Sequence, residues 1–159
     1  MLQETIARPV DRLFAAYSDD HRHPTNQLLH VLCVPAIVWS LLALVYCIPL
    51  GEGAPAGLLA AALAVVAAAY WMWLSLPLGL GAAALMALAW WSVAALHAAL
   101  GAAALAWLGA AVFVVAWIGQ FIGHHIEGRR PSFLTDLVYL MVGPVWVLAK
   151  GYRKVALRF

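Results

Sequence analysis

Charge is what this sequence has least of. Only 10% of its 159 residues are Asp, Glu, Lys or Arg, and from Val31 to Gly123 the sole charged residue is Glu52. A soluble domain carries about 25% charged residues, so this scarcity, with 66% hydrophobic residues and a mean hydropathy of +0.92, excludes that class. Cysteine is nearly missing too. Cys33 and Cys47 lie in one apolar stretch and read as packing residues, which leaves neither a disulfide framework nor a thiolate metal site. There is no solenoid-length repeat and no nucleotide-binding glycine motif, and the nine basic residues offer no patch for nucleic acid. The N-terminus lacks the basic-then-apolar order of a cleavable signal peptide.

What is present is a series of apolar runs, each able to fill one bilayer crossing of about 20 residues. The expected class is an all-α integral membrane protein, one membrane domain over residues 1–159. Segment one runs from about Asn26 to Leu50 and stops at "PLGEGAPAG"; segment two runs from about Gly57 to Leu74 and stops at "SLPLGLG". The run from Ala82 to Ile122 is too long for one crossing and breaks near "HAALG", residues 97–101. Four transmembrane helices over 26–126 follow, with residues 1–25 and 127–159 on one face. Charge supports that count independently. Arg8, Arg12, Arg22, Arg129, Arg130, Lys150, Arg153, Lys154 and Arg158 are all the basic residues, and none falls in the inferred opposite loops, so both termini are expected in the cytoplasm. The membrane is then a bacterial inner membrane, or the endoplasmic reticulum in a eukaryote.

Two flanking segments complete the frame. Pro9 opens a helix whose Val10, Leu13, Phe14 and Tyr17 recur at amphipathic spacing, expected to lie on the membrane surface. Residues 133–149 are long enough to span, but spanning would export four basic residues, and the run holds Asp136, Gly143 and Pro144. An interfacial or re-entrant helix is expected instead.

Polar residues inside this frame carry the functional signal. In "DDHRHPTNQLLH", His21 and His23 precede Pro24, Thr25 is a candidate helix cap, and Asn26 and His30 share a helical face. In "WIGQFIGHHIEG", Gln120, His124 and Glu127 form one stripe, while His125 points about 100° away. Imidazoles and a carboxylate gathered at one rim suit a divalent transition metal, with the amides of Asn26 and Gln120 orienting the rings. The plainer alternative is interfacial histidines without metal, beside ordinary positive-inside anchors. His97 stands alone near the opposite face, and "YWMW" and "WW" read as interfacial belts or helix contacts.

The stretches "HRHPTNQLLHVLCVP" and "WIGQFIGHHIEGRRPSFLTDL", with the "LPLGLG" hairpin between them, resemble the paired signatures of the small membrane proteins related to 2-hydroxy-palmitate dioxygenase. The matching positions are His21, Pro24, Asn26 and His30, then Gln120, His124, Glu127, Pro131 and Asp136. The resemblance implies an Fe(2+) enzyme, independent of 2-oxoglutarate, that shortens a 2-hydroxy long-chain fatty acid by one carbon using dioxygen and releases CO2. It implies His21, His30 and His124 as metal ligands; His23 and His125, which lie outside the match, and Glu127 are possible further ligands. Glu127 is expected as the catalytic carboxylate, Asn26, Gln120 and Asp136 as supports, and Arg129 or Arg130 as steering the substrate carboxylate. The eight-histidine run of the membrane desaturases is absent. The competing expectations are a non-catalytic scaffold or transporter subunit, for which almost no mid-membrane polar group is available, and another metal-dependent lipid enzyme.

Overall fold

Prolines and glycines in the sequence set the limits of the helices. Pro9 and Pro24 stand in first turns, where a missing N–H removes no helical bond; they open α1 (Pro9–Asp19) and α2 (Pro24–Tyr46). The cap of α2 is His23 rather than Thr25: its Nδ1 accepts the Thr25 N–H at 3.2 Å. Gly57, at φ 77°, precedes α3 (Leu58–Leu74), and extended Ser75 leads into α4 (Leu76–Glu127), which carries Pro77 in its first turn. The last helix is α5 (Phe133–Lys154). These come from a computed structural model that describes residues 8–128 and 139–159 in full and 133–138 by backbone alone. Among the described residues there is no strand.

The "LPLGLG" hairpin works by close approach. A Cβ on Gly79 would collide with the backbone of Met72, so glycine lets α4 start directly against the end of α3.

A straight helix of 52 residues would extend about 78 Å at about 1.5 Å per residue, more than twice the bilayer core of about 30 Å. The chain reverses instead at Gly101, whose φ 79° and ψ 166° are non-helical and open only to glycine. Before the reversal, Ser92 meets Trp39, whose Nε1 donates to its Oγ at 2.9 Å, and His97 meets Tyr46. After it, Gly109 lies against Ser40, Ala43 and Leu44, Gly119 against Cys33, and Gly123 against Asn26. The two limbs of α4 therefore run along α2 in opposite directions, and the break falls within the expected 97–101. Small residues permit this closeness: a Cβ on Gly119 would collide with Cys33 Sγ, and one on Gly123 with Asn26 Oδ1.

Among the described residues two helices, α2 and α4, are long and apolar enough to cross a membrane, and α3 is a shorter apolar helix. Their outer faces carry Trp107, 78% exposed, with Val65, Val115, Trp73 and Trp91.

One buried cluster, at the far end, joins Leu42, Ala43, Ala60, Val93 and Leu105. The other joins Val10, Phe14 and Tyr17 of α1 to Trp71, Leu74, Leu78, Ala82, Val142, Val145, Trp146 and Ala149. The expected surface helix α1 thus has a protein partner. Its apolar stripe is as periodic as anticipated, but α5 supplies an apolar partner that covers it, so protein rather than lipid buries Val10, Phe14 and Tyr17. Helix α5 crosses the same end: Gly143 meets Tyr17 and Val34, Trp71 donates to Met141 O, and Tyr152 donates to Pro77 O.

Candidate metal centre

Three imidazoles converge beneath α1 and α5. His21 follows α1, where its N–H bonds to Ser18 O; His30 is in the second turn of α2; His124 is in the last turn of α4. His21 and His30 are buried, at 1% and 2% exposure, and His124 is half-buried. One ligand atom from each lies within 4.8 Å of the other two.

Their hydrogen bonds fix which nitrogens face inward. His21 Nδ1 is 2.6 Å from Tyr17 O and His30 Nδ1 is 2.9 Å from Asn26 O. A carbonyl oxygen only accepts, so both Nδ1 atoms carry the proton and donate. Both Nε2 atoms are left as lone pairs, and they face each other at 2.9 Å. Two lone pairs at that distance repel unless a cation is shared between them. Two nitrogens bound at about 2.1 Å to one metal, at right angles, are about 3.0 Å apart, so the donor set fits a transition metal on one face of three imidazoles. Burial pushes the pKa of the His21 imidazole below its ordinary value, which favours the neutral form that can ligate. Tyr17 stacks on His21 with centroids 4.2 Å apart, and Trp146 lies 5.9 Å away. A cavity of about 50 Å³ adjoins the imidazoles, lined also by Val34, Ile37, Trp117, Gln120 and Leu140.

Glu127 lies elsewhere. One carboxylate oxygen accepts the Arg22 N–H at 3.0 Å; the other accepts the His23 N–H at 2.8 Å and Asn26 Nδ2 at 3.0 Å. It therefore clasps the N-terminus of α2 to the end of α4, where the helix dipole favours an anion. Its stripe mate His124 reaches the imidazole set; Glu127 does not.

The other expected residues divide clearly. His23 is exposed and uses its Nδ1 as a cap, and His125 is exposed, so neither joins the three imidazoles. Main-chain carbonyls, not side-chain amides, orient the rings: Asn26 gives its backbone oxygen to His30 while its side chain serves Glu127. Gln120 lines the cavity and makes no bond to an imidazole through its Oε1. His97 packs on Tyr46 at the far end. Arg129, Arg130, Pro131 and the side chain of Asp136 lie outside the described residues. Sequence reasoning missed Trp117, although it stands three residues before Gln120 and seven before His124, on the same helical face. It also missed Tyr17 as the His21 anchor, whose helical spacing of four was visible.

Comparison with known proteins bears on this arrangement directly. The chain is 30% identical over 134 residues to 2-hydroxy-palmitic acid dioxygenase MPO1 of Saccharomyces cerevisiae, covering 83% of this chain and 73% of the yeast protein. No solved structure matches it. The profile of the family described as 2-hydroxy-palmitic acid dioxygenase Mpo1-like matches residues 7–155, a span that takes in all three imidazoles and every helix, and on that extent the chain belongs to the Mpo1-like family.

Proposed function

We propose that this protein is an integral membrane dioxygenase that converts a 2-hydroxy fatty acid and O2 into the acid one carbon shorter, CO2 and water. The observation that carries the reading is the pair of facing Nε2 lone pairs at 2.9 Å, with His124 as third donor, in a chain whose relative is a 2-hydroxy-palmitic acid dioxygenase. The reaction balances without a co-substrate. Oxidising the hydroxyl-bearing carbon to a carboxyl while the old carboxyl leaves as CO2 releases four electrons, the number that dioxygen takes, so no 2-oxoglutarate is consumed.

His21, His30 and His124 would hold Fe(2+), which when bound supplies open positions for the hydroxy acid and redox chemistry toward dioxygen. The chain's own residues supply the rest. Tyr17 O and Asn26 O keep the imidazoles in one tautomer. Val34, Ile37 and Leu140 exclude water from the reacting end. Leu140 also borders an apolar cavity of about 300 Å³ between α2, α3 and α5, and beyond Trp71 and Met86 lies another of about 620 Å³; these give an alkyl tail a path among the helices. Glu127 acts as a positioning residue, tying α2 to α4, rather than as a proton carrier.

The exposed Trp, Val and Leu of α3 and α4 call for lipid around them. In this reading α2, α3 and the two limbs of α4 make four crossings, with α1 and α5 at the cytoplasmic interface and both termini inside.

The test is to incubate purified, iron-loaded protein with 2-hydroxypalmitate under air. The C15 acid should appear with CO2, should require iron and oxygen, and should not require 2-oxoglutarate. Absence of shortened acid across several chain lengths, with iron still bound, overturns the reading.

A further inference from the structure

Two polar atoms at the imidazole cavity have no partner. Trp117 Nε1 and Gln120 Oε1 are both buried, and neither makes a hydrogen bond among the described residues. Both residues line the cavity that His21, His30 and His124 border, and Gln120 is only 5% exposed. They stand three residues apart on the returning limb of α4, on one stripe with His124. Buried polar groups are nearly always satisfied, by protein or by something bound. Here the nearby wall is apolar Val34, Ile37 and Leu140, while Tyr139 gives its hydroxyl proton to Asp20.

The two atoms differ in kind. An indole N–H can only donate and an amide oxygen can only accept. A 2-hydroxy carboxylate is their complement, because its carboxylate only accepts and its hydroxyl can donate. The cavity beside the imidazoles is small, which suits a compact polar head group, and Leu140 lines both it and the apolar cavity that can take the tail.

From this we infer that Trp117 and Gln120 are the head-group recognition pair: the Trp117 indole donates to a substrate carboxylate oxygen and the substrate hydroxyl donates to Gln120 Oε1. The inference rests on the proposed reaction but adds a source of selectivity that is separate from metal chelation. A 2-deoxy acid leaves Gln120 unsatisfied, and a 2-oxo acid sets acceptor against acceptor. Selectivity for the hydroxyl therefore belongs to the protein and persists when the metal is removed.

The experiment measures binding of 2-hydroxypalmitate, palmitate and 2-oxopalmitate to chelator-treated full-length protein in detergent, by equilibrium dialysis. Wild type should prefer the hydroxy acid over palmitate by about tenfold or more. Gln120→Leu should abolish that preference by weakening the hydroxy acid alone. Trp117→Phe, which removes only the N–H and some ring area, should weaken both acids by a similar factor and leave the preference intact. Each variant is read beside its thermal unfolding and its iron content on reloading. A preference that survives Gln120→Leu, or affinities unmoved by Trp117→Phe, overturns the inference while leaving the reaction standing if wild type still shortens the acid. Failure of wild type to bind either acid and to shorten the hydroxy acid overturns both. If a variant does not fold, the indole N–H vibration of selectively labelled wild type decides: it should shift on adding 2-hydroxypalmitate, and no shift overturns the role of Trp117.

Discussion

Gly123 and Asn26 meet so closely that a Cβ on the glycine would overlap the Asn26 side-chain oxygen. Asn26 cannot swing aside, because it is fully buried and its Nδ2 is held by Glu127. This contact sets the separation of α2 and α4 one residue from His124. Gly123→Ala should therefore destabilise the protein by roughly 1–3 kcal/mol and lower its iron content, measured by thermal unfolding and elemental analysis. Unchanged values for both would show that the crossing has slack.

Alanine at His21, His30 or His124 should each reduce iron binding by well over about tenfold and lower the melting temperature of the iron-loaded form, because ligands from separate segments tie those segments together through the metal. His23→Ala and His125→Ala should keep full iron. Retention of full metal by all three of the first group would remove the proposed centre.

Glu127 separates a clasp from a proton carrier. Glu127→Ala loses three hydrogen bonds to a carboxylate at a half-exposed site and should cost about 1–2 kcal/mol, with turnover reduced only as far as iron occupancy falls. Turnover per bound iron is the deciding measurement. A loss of about a thousandfold in that ratio would return Glu127 to the reacting atoms.

The proposed four crossings would put Glu52 outside and the histidine-bearing end inside. In a background with Cys33 and Cys47 replaced by alanine, a cysteine at position 52 should react with an impermeant reagent only from the outer side, and one at Arg158 only from the cytoplasm. Labelling of position 52 from the cytoplasm would rule out the topology.

Much of this was legible because apolar runs and their punctuation are local. The amphipathic spacing of Val10, Phe14 and Tyr17, the break at Gly101 and the start of α5 at Phe133 all come from nearby residues. Segment limits moved by a few residues: α2 is Pro24–Tyr46, not 26–50, because Pro24 can occupy the first turn and the chain turns at Cys47. The three imidazoles were legible from two short signatures. Their surroundings were not, since contacts made across helices depend on how closely backbones approach. Glu127 shares a stripe with His124, yet its carboxylate is captured by N–H groups of Arg22 and His23 over a hundred residues away in sequence. The fate of α1 depended likewise on a distant partner, Trp146 with its neighbours in α5.

The reversal at Gly101 also governs when the centre can exist. His21 and His30 are synthesised before any of the membrane hairpins that follow, while His124 arrives only after the last limb has turned back. Until then the chain presents two imidazoles without the third, and the Arg22 and His23 N–H groups without the Glu127 carboxylate. The three-histidine set is therefore complete only once both limbs of α4 have been made, so it joins the first-made end of the chain to the end of the returning limb.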